Sequence, residues 1–185
     1  MTTKPAFDGP VQAGYREVGQ ACTNPSKNVR YRSVYSYSGE YGAVSGKSFS
    51  YSTDYLCSLI TGFRIWEVSS SYITGIQLEF NNTWSKTYGI DKSKLHEVIL
   101  FPGEHITQVS GKENTYIYQL IFVTSMKRIF FFGQPSGYSF NAYPMYQGNI
   151  LLFLIGHTDS NAITGIGFHW HMAKLFEGNC QYIRG

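Results

Sequence analysis

From Tyr35 onward the chain alternates apolar side chains with polar or small ones, the period of two that a half-buried strand requires. Three hexapeptides show it most plainly: Ile60-Thr61-Gly62-Phe63-Arg64-Ile65, Ile73-Thr74-Gly75-Ile76-Gln77-Leu78 and Ile163-Thr164-Gly165-Ile166-Gly167-Phe168. Each opens on Ile-Thr-Gly, and a glycine inside a strand marks a bend or a close backbone approach. The copies stand 13 and then 90 positions apart, which is not the fixed period of a solenoid or propeller. They predict internal pseudo-symmetry within one compact all-β body.

Further strands follow from the same pattern. Val98-Ile99-Leu100-Phe101 leads into Pro102-Gly103, a pair suited to the central positions of a type II turn, so Ile106 to Val109 is expected to return antiparallel as a hairpin. Tyr116 to Thr124 is largely apolar on both faces and is expected to be covered on both, as in a sandwich, a barrel or a prism. Arg128 to Phe132, Ile150 to Ile155 and Ile166 to Trp170 complete about ten to twelve strands, and no stretch combines helical periodicity, caps and length. Asn81-Asn82 ends the second Ile-Thr-Gly strand, while residues 89–94 form a polar loop. Residues 1–34 hold three of the six prolines and no sustained alternation, which predicts an irregular arm before a body of residues 35–172 and a tail of residues 173–185.

Composition narrows the partners. A chain of 185 residues suits one larger all-β domain. Aromatic residues make up 17% and charged residues 15%, against a usual charged share of roughly 25%. The 15 tyrosines suit amphipathic partners such as sugars or proteins, and equally suit strands. A net charge of +3 without a basic run gives no reason to expect nucleic acid, and the longest apolar run, Ile150 to Ile155, has strand length and so predicts no membrane span. The start, Met1-Thr2-Thr3-Lys4-Pro5, lacks the apolar stretch of a signal peptide, which fits a cytosolic start or a mature chain with an added Met. Of the three cysteines, Cys22 and Cys180 lie in the terminal segments and are the candidate disulfide, with Cys57 left as a small apolar group beside Leu56. Asn81-Asn82-Thr83 makes Asn81 the candidate glycosylation site of a secreted chain.

Little here points to catalysis. His169-Trp170-His171 puts two imidazoles on one side of a strand, yet no third or fourth ligand stands near in sequence, and no metal or other cofactor is expected. No G-x-S-x-G elbow or phosphate-binding loop is present, so the chain is expected not to be an enzyme. The segment Gly156-His157-Thr158-Asp159-Ser160-Asn161-Ala162 suggests a loop of small polar groups that could hold a sugar or simply connect two strands.

Several short blocks in order carry a resemblance: Tyr37-Ser38-Gly39-Glu40-Tyr41-Gly42, Gly46-Lys47, Ile60-Thr61-Gly62, Pro102-Gly103-Glu104, Val109-Ser110-Gly111-Lys112, Phe122-Val123-Thr124, Phe140-Asn141-Ala142 and Ile166-Gly167-Phe168-His169-Trp170. Together they make the segment from Tyr35 to Trp170 resemble the jacalin-related lectins, in particular their animal zymogen granule protein 16-like group. The resemblance implies a β-prism I fold, with three four-stranded Greek-key sheets about a pseudo-threefold axis. It also implies secretion and calcium-independent carbohydrate binding by three loops at one end of the prism.

Carried onto this sequence, the resemblance places Gly46 in the first loop, Lys112 and Tyr116 in or beside the second, and Asp159, Asn161, Ala162 and Thr164 in or beside the third. Thr164 falls where the family's sugar-chelating aspartate stands, in a loop one residue longer. A carboxylate contributes charge-assisted bonds of roughly 1.5 to 3 kcal/mol, against about 1 kcal/mol for a neutral hydroxyl, so this exchange weakens the site unless Asp159 substitutes. The implied partners are mannose- or galactose-type glycans or glycoproteins, a weak glycosaminoglycan interaction through Lys47 and Lys112, and a second copy in a homo-oligomer. The alternative is a structural or assembly protein that keeps the prism and uses it, with the N-terminal arm, for protein contacts.

Overall fold

The computed structural model of the chain describes residues 35–51, 58–69 and 71–172. The predicted arm, the tail and the candidate disulfide Cys22–Cys180, together with Cys57, lie outside the described residues. Thirteen β segments follow one another: β1 (Tyr35–Gly42), β2 (Lys47–Ser50), β3 (Ile60–Glu67), β4 (Ile73–Phe80), β5 (Thr83–Trp84), β6 (Tyr88–Gly89), β7 (Lys94–Ile99), β8 (Ile106–Glu113), β9 (Ile117–Thr124), β10 (Ile129–Gly133), β11 (Tyr138–Ala142), β12 (Asn149–Thr158) and β13 (Ile163–Met172). They form three antiparallel sheets, ordered β1-β13-β12-β2, β5-β4-β3-β7 and β10-β9-β8-β11, with β6 also on β4. The short β5 and β6 share one edge of the second sheet. Between them the chain bulges: Ser85 N–H donates to the Leu78 carbonyl at 2.9 Å, and the Gln77 amide donates to the Ser85 carbonyl at 2.6 Å. Counted with that edge as one broken strand, the architecture is the expected three sheets of four.

Stacked aromatic rings close the three corners of this prism. Phe49 lies on Tyr88 between the first and second sheets, Phe63 on Phe122 between the second and third, and Tyr41 on Phe140 between the third and first, each with ring centroids 4.6 Å apart. Offset stacking of this kind adds about 0.5 to 1.5 kcal/mol per pair beyond area burial. Phe63, Leu78, Leu120, Phe122, Leu154, Phe168 and Trp170 fill the space between the sheets and are fully buried or nearly so.

Pseudo-symmetry is visible atom by atom at one end of the prism. Gly42, Gly89 and Gly133 have φ of +105°, +85° and +76°, a region costly for any residue with a Cβ. The residue after each, Ala43, Ile90 or Gln134, donates its N–H to the carbonyl of Thr164, Thr74 or Tyr118. A Cβ on each glycine would meet that same carbonyl and, at 3.2, 3.0 and 3.1 Å, the terminal methyl of Ile117, Ile163 or Ile73 from the neighbouring sheet. Each sheet thus lends an isoleucine to the next around a closed cycle.

The repeat is therefore Ile73-Thr74, Ile117-Tyr118 and Ile163-Thr164. Two of the three Ile-Thr-Gly copies are true equivalents. The copy at Ile60 starts β3, which runs antiparallel to β4 and pairs Ile60 with Phe80 at the opposite end. The third equivalent has lost both Thr and Gly, so only its geometry reveals it.

Two turns refine the expectations. Glu104 N–H donates to the Phe101 carbonyl at 2.9 Å and Gly103 has φ +75°, the type II turn that Pro102-Gly103 predicts. It does not make a hairpin, because β7 belongs to the second sheet and β8 to the third; buried Glu104 bonds Thr124 and Arg128 of the third sheet and carries the chain across. Asn81 and Asn82, with φ of 47° and 64°, make the two-residue turn of the β4–β5 hairpin. Asn81 is exposed and its Oδ1 accepts from Leu59 N–H at 3.1 Å.

The expectation that β9 is covered on both faces needs correction. Leu120 and Phe122 point into the core, whereas Ile121 and Val123 stay half-buried on the outer face, paired with exposed Phe131 and Ile129 of edge strand β10. Alternation alone cannot distinguish a face covered by another sheet from one left outside.

Candidate functional site

At the end marked by the three glycine corners, the loops 43–46, 114–116 and 159–162 come together. The β12–β13 connection is shorter than expected. Gly156 and His157 continue the ladder against Phe49 and Ser48, and Thr158 against Lys47, leaving only Asp159-Ser160-Asn161-Ala162 as the loop. Asp159 organises those four residues. Its N–H donates to the Ala162 carbonyl at 3.1 Å, while its Oδ1 accepts from the N–H groups of Asn161 and Ala162 at 2.7 and 2.9 Å.

The second loop locks onto the third through Tyr116. Its hydroxyl donates to Asp159 Oδ2 at 3.1 Å and accepts from Asn161 Nδ2 at 3.3 Å. Burial pushes the Asp159 carboxyl up, but the bonds from Asn161, Ala162 and Tyr116 outweigh it and hold the group below the usual aspartate range. The pole therefore carries a fixed, ionised acceptor.

The first loop is held from beneath. Thr164 is buried, its hydroxyl donates to the Ser45 carbonyl at 2.5 Å, and its own carbonyl accepts from Ala43 N–H at 2.9 Å. Exposed Val44 takes φ 49° and Gly46 takes φ +92°, packed so closely on Thr158 that a side chain there would strike its carbonyl. Below this loop Glu40 Oε1 pairs with His157 Nδ1 at 2.5 Å. Sequence reasoning held His157 within the polar run and Glu40 within the first block of the resemblance, but missed their pairing. They stand 117 positions apart, and no local spacing joins them.

The structure thus brings Tyr116, Asp159, Asn161 and Ala162 into one network, with Gly46 and Thr164 shaping the adjacent loop. Lys112 stands near the end of β8, where its Nζ is engaged outside this network, donating to Ser139 Oγ of β11 at 2.8 Å. Lys47 is exposed on β2 in a different sheet. Glu113, beside the second loop, is a weakened acid because burial raises its carboxyl. Among the described residues no group of three or more His, Cys, Asp or Glu side chains is placed to hold a metal ion.

The Jacalin-like lectin domain family model matches residues 38–169. The chain belongs to the jacalin-like lectin family. It is 44% identical over 149 residues to mouse zymogen granule membrane protein 16, covering 80% of this chain and 88% of that protein. Among solved structures of jacalin-like lectins, a prostate-specific WGA16 glycoprotein lectin superposes with a TM-score of 0.59 at 32% identity, covering 75% of this chain and 91% of its own. Single-chain recombinant jacalin, at 18% identity, shares the fold with a TM-score of 0.62 over 80% of this chain and 100% of its own.

Proposed function

We propose that this protein is a secreted or granule-associated, calcium-independent lectin that binds neutral glycans at the pole formed by loops 43–46 and 159–162 and Tyr116. The observation that carries this reading is the Asp159 carboxylate, fixed and ionised at that pole by Asn161, Ala162 and Tyr116. An ionised carboxylate has about four lone-pair positions. Oδ1 is committed to the third loop, whereas Oδ2 meets only the Tyr116 hydroxyl among the hydrogen bonds described and is the oxygen offered to a sugar hydroxyl.

Thr164 stands where its family has the chelating aspartate, but its hydroxyl is engaged with Ser45. Its part is to set the height of the first loop. The sugar is then held by one charge-assisted bond and by neutral contacts, which supports millimolar binding of about 4 kcal/mol. Useful strength comes from presenting several sites or several glycans together. The mouse relative's name, zymogen granule membrane protein, supports placement in the secretory pathway.

Titration with methyl α-mannoside and methyl α-galactoside, and a multivalent glycan array, test this in the presence of EDTA. The expected result is saturable millimolar binding that EDTA does not alter and that Asp159→Ala weakens at least about tenfold. A blank array and no saccharide response from folded protein would overturn it. Elution from heparin resin below physiological salt is also expected, because Lys112 is engaged with Ser139 and the Glu113 carboxyl adjoins it.

One observation favours assembly as a second reading. Phe131 and Ile129 are 64% and 52% exposed on edge strand β10, beside Ile121 and Val123, a concentration of apolar surface that suits a protein partner. Sedimentation of wild type and Phe131→Glu over a range of concentrations separates a self-associating protein from a monomer.

A further inference from the structure

Asn81-Asn82-Thr83 is the one Asn-x-Ser/Thr triplet of the chain whose middle residue is not proline. Such triplets are common by chance, and the fold decides whether this one has room for a glycan. All three residues are exposed, at the tip of the β4–β5 hairpin. Asn81 and Asn82 hold the positive φ of that turn, which asparagine adopts more readily than most residues.

The two ends of the Asn81 amide have different surroundings. Its Oδ1 accepts from Leu59 N–H at 3.1 Å, while the Asn81 N–H donates to the Leu59 carbonyl at 3.0 Å. A backbone N–H can meet only the oxygen of an amide, so this bond fixes which way the amide lies. The Nδ2 makes none of the hydrogen bonds described, and neither does the Thr83 hydroxyl. Asn82 N–H donates to Thr61 Oγ1 at 3.0 Å and ties the rest of the turn to β3.

We infer that Asn81 carries an N-linked glycan. In the transfer, Nδ2 bonds to the anomeric carbon of the first sugar as that carbon's bond to the diphosphate of a lipid-linked oligosaccharide breaks. The lipid diphosphate leaves, and Nδ2 gives up one proton. The linked amide keeps its carbonyl and one N–H, so the bond from Leu59 survives and no hydrogen bond of the turn is lost. At about 3.3 Å per residue, β4 puts roughly 23 Å between Ile73, at the end of the glycine corners, and Phe80 beside this turn. The glycan stands at the end of the prism away from Asp159 and leaves the pole open. This goes beyond the lectin reading and needs only entry into the secretory pathway.

The test expresses the full chain behind a supplied secretory leader in cultured mammalian cells, which makes it independent of the chain's own localisation and of saccharide binding. Peptide N-glycosidase F should remove the mass of one glycan from the wild type, without denaturant because the turn is exposed, and should leave the mass of an aspartate at position 81 in the peptide map. Thr83→Ala should abolish the glycan and Thr83→Ser should retain it. Asn81→Asp should also abolish it while keeping an oxygen for Leu59 N–H, so its thermal midpoint should match that of the enzymatically deglycosylated wild type.

No mass loss from the wild type, in either the secreted or the cell-retained protein, would overturn the site, as would a mass loss that persists in Thr83→Ala. Removal only after denaturation would overturn the exposed placement on which the inference rests. None of these results bears on the Asp159 site, which stands or falls by saccharide titration.

Discussion

Glu40 of β1 reaches His157 of β12 across Gly165 of β13, the strand that lies between them. A Cβ on Gly165 would come within 2.7 Å of Glu40 Oε1 and 3.2 Å of the Val44 Cα. The missing side chain is what lets the pair form and lets the first loop settle over it. Gly165→Ala should displace the Glu40 carboxylate from His157 and lift Val44, with a loss of about 1 kcal/mol in stability. Thermal unfolding checks the stability, and saccharide titration should show weaker binding because loop 43–46 has moved. Unchanged values in both would mean that the glycine is incidental.

Tyr116→Phe removes one hydroxyl and keeps the ring. Asp159 Oδ2 then loses its donor and Asn161 Nδ2 its acceptor, while the bonds from Asn161 and Ala162 N–H to Oδ1 remain. The expected cost is about 1 kcal/mol, or roughly fivefold in saccharide affinity, with the fold intact. Asp159→Ala should cost more, since it strands two N–H donors as well as removing the charge. Equal losses for the two variants would show that the carboxylate acts only through Tyr116.

Acid should weaken the fold through His169. Its ring stacks on Phe153 at 4.3 Å and lies against Tyr37 and Tyr35 at 4.6 and 5.3 Å, with both ring nitrogens buried and without a hydrogen-bond partner. Burial lowers its pKa from the ordinary 6.5 to about 4. The unfolded chain takes up the proton first, so the neutral ring's contribution is complete above pH 6.5 and is lost as pH falls toward 4. The interval corresponds to about 3 kcal/mol. Urea unfolding across this range should show the decline, and His169→Phe should flatten it.

Much of the fold was legible because it is written locally. Alternation located the long strands, Pro102-Gly103 its type II turn, and Asn81-Asn82 the end of β4. Partner choice was not. Whether β7 folds back on β8 or passes to another sheet depends on Glu104 finding Thr124 and Arg128, at separations of 20 and 24 residues. The site divides in the same way. Asp159, Asn161 and Ala162 were visible as a short polar run, but the Tyr116 bond spans 43 positions. Thr164 was placed by its sequence position, and only the fold shows its hydroxyl turned to Ser45.

Glu104 offers the sharpest test of how the sheets are tied together. At the end opposite the glycine corners its fully buried carboxylate accepts from Phe101 N–H at 2.8 Å, from Thr124 Oγ1 at 2.5 Å and from Arg128 Nη1 at 2.8 Å. The Arg128 guanidinium lies over the rings of Phe101 and Phe130 at 4.3 and 4.6 Å. Burial pushes the carboxyl up, but its bonds with Thr124, Phe101 and Arg128 bring it below the ordinary value of 4.5. Its stabilising contribution is therefore present above pH 4.5 and is lost as pH falls through the lower folded pKa. Glu104→Ala should cost about 3 kcal/mol at pH 7, because an N–H, a hydroxyl and a guanidinium all lose their acceptor. Glu104→Gln keeps the shape and one acceptor, so its penalty should be smaller and should shrink in acid as the wild-type carboxylate becomes protonated. Urea unfolding of both variants at pH 7 and pH 3 measures this. A loss under about 1 kcal/mol for Glu104→Ala would show that the ring contacts of Arg128 hold this corner without the charge.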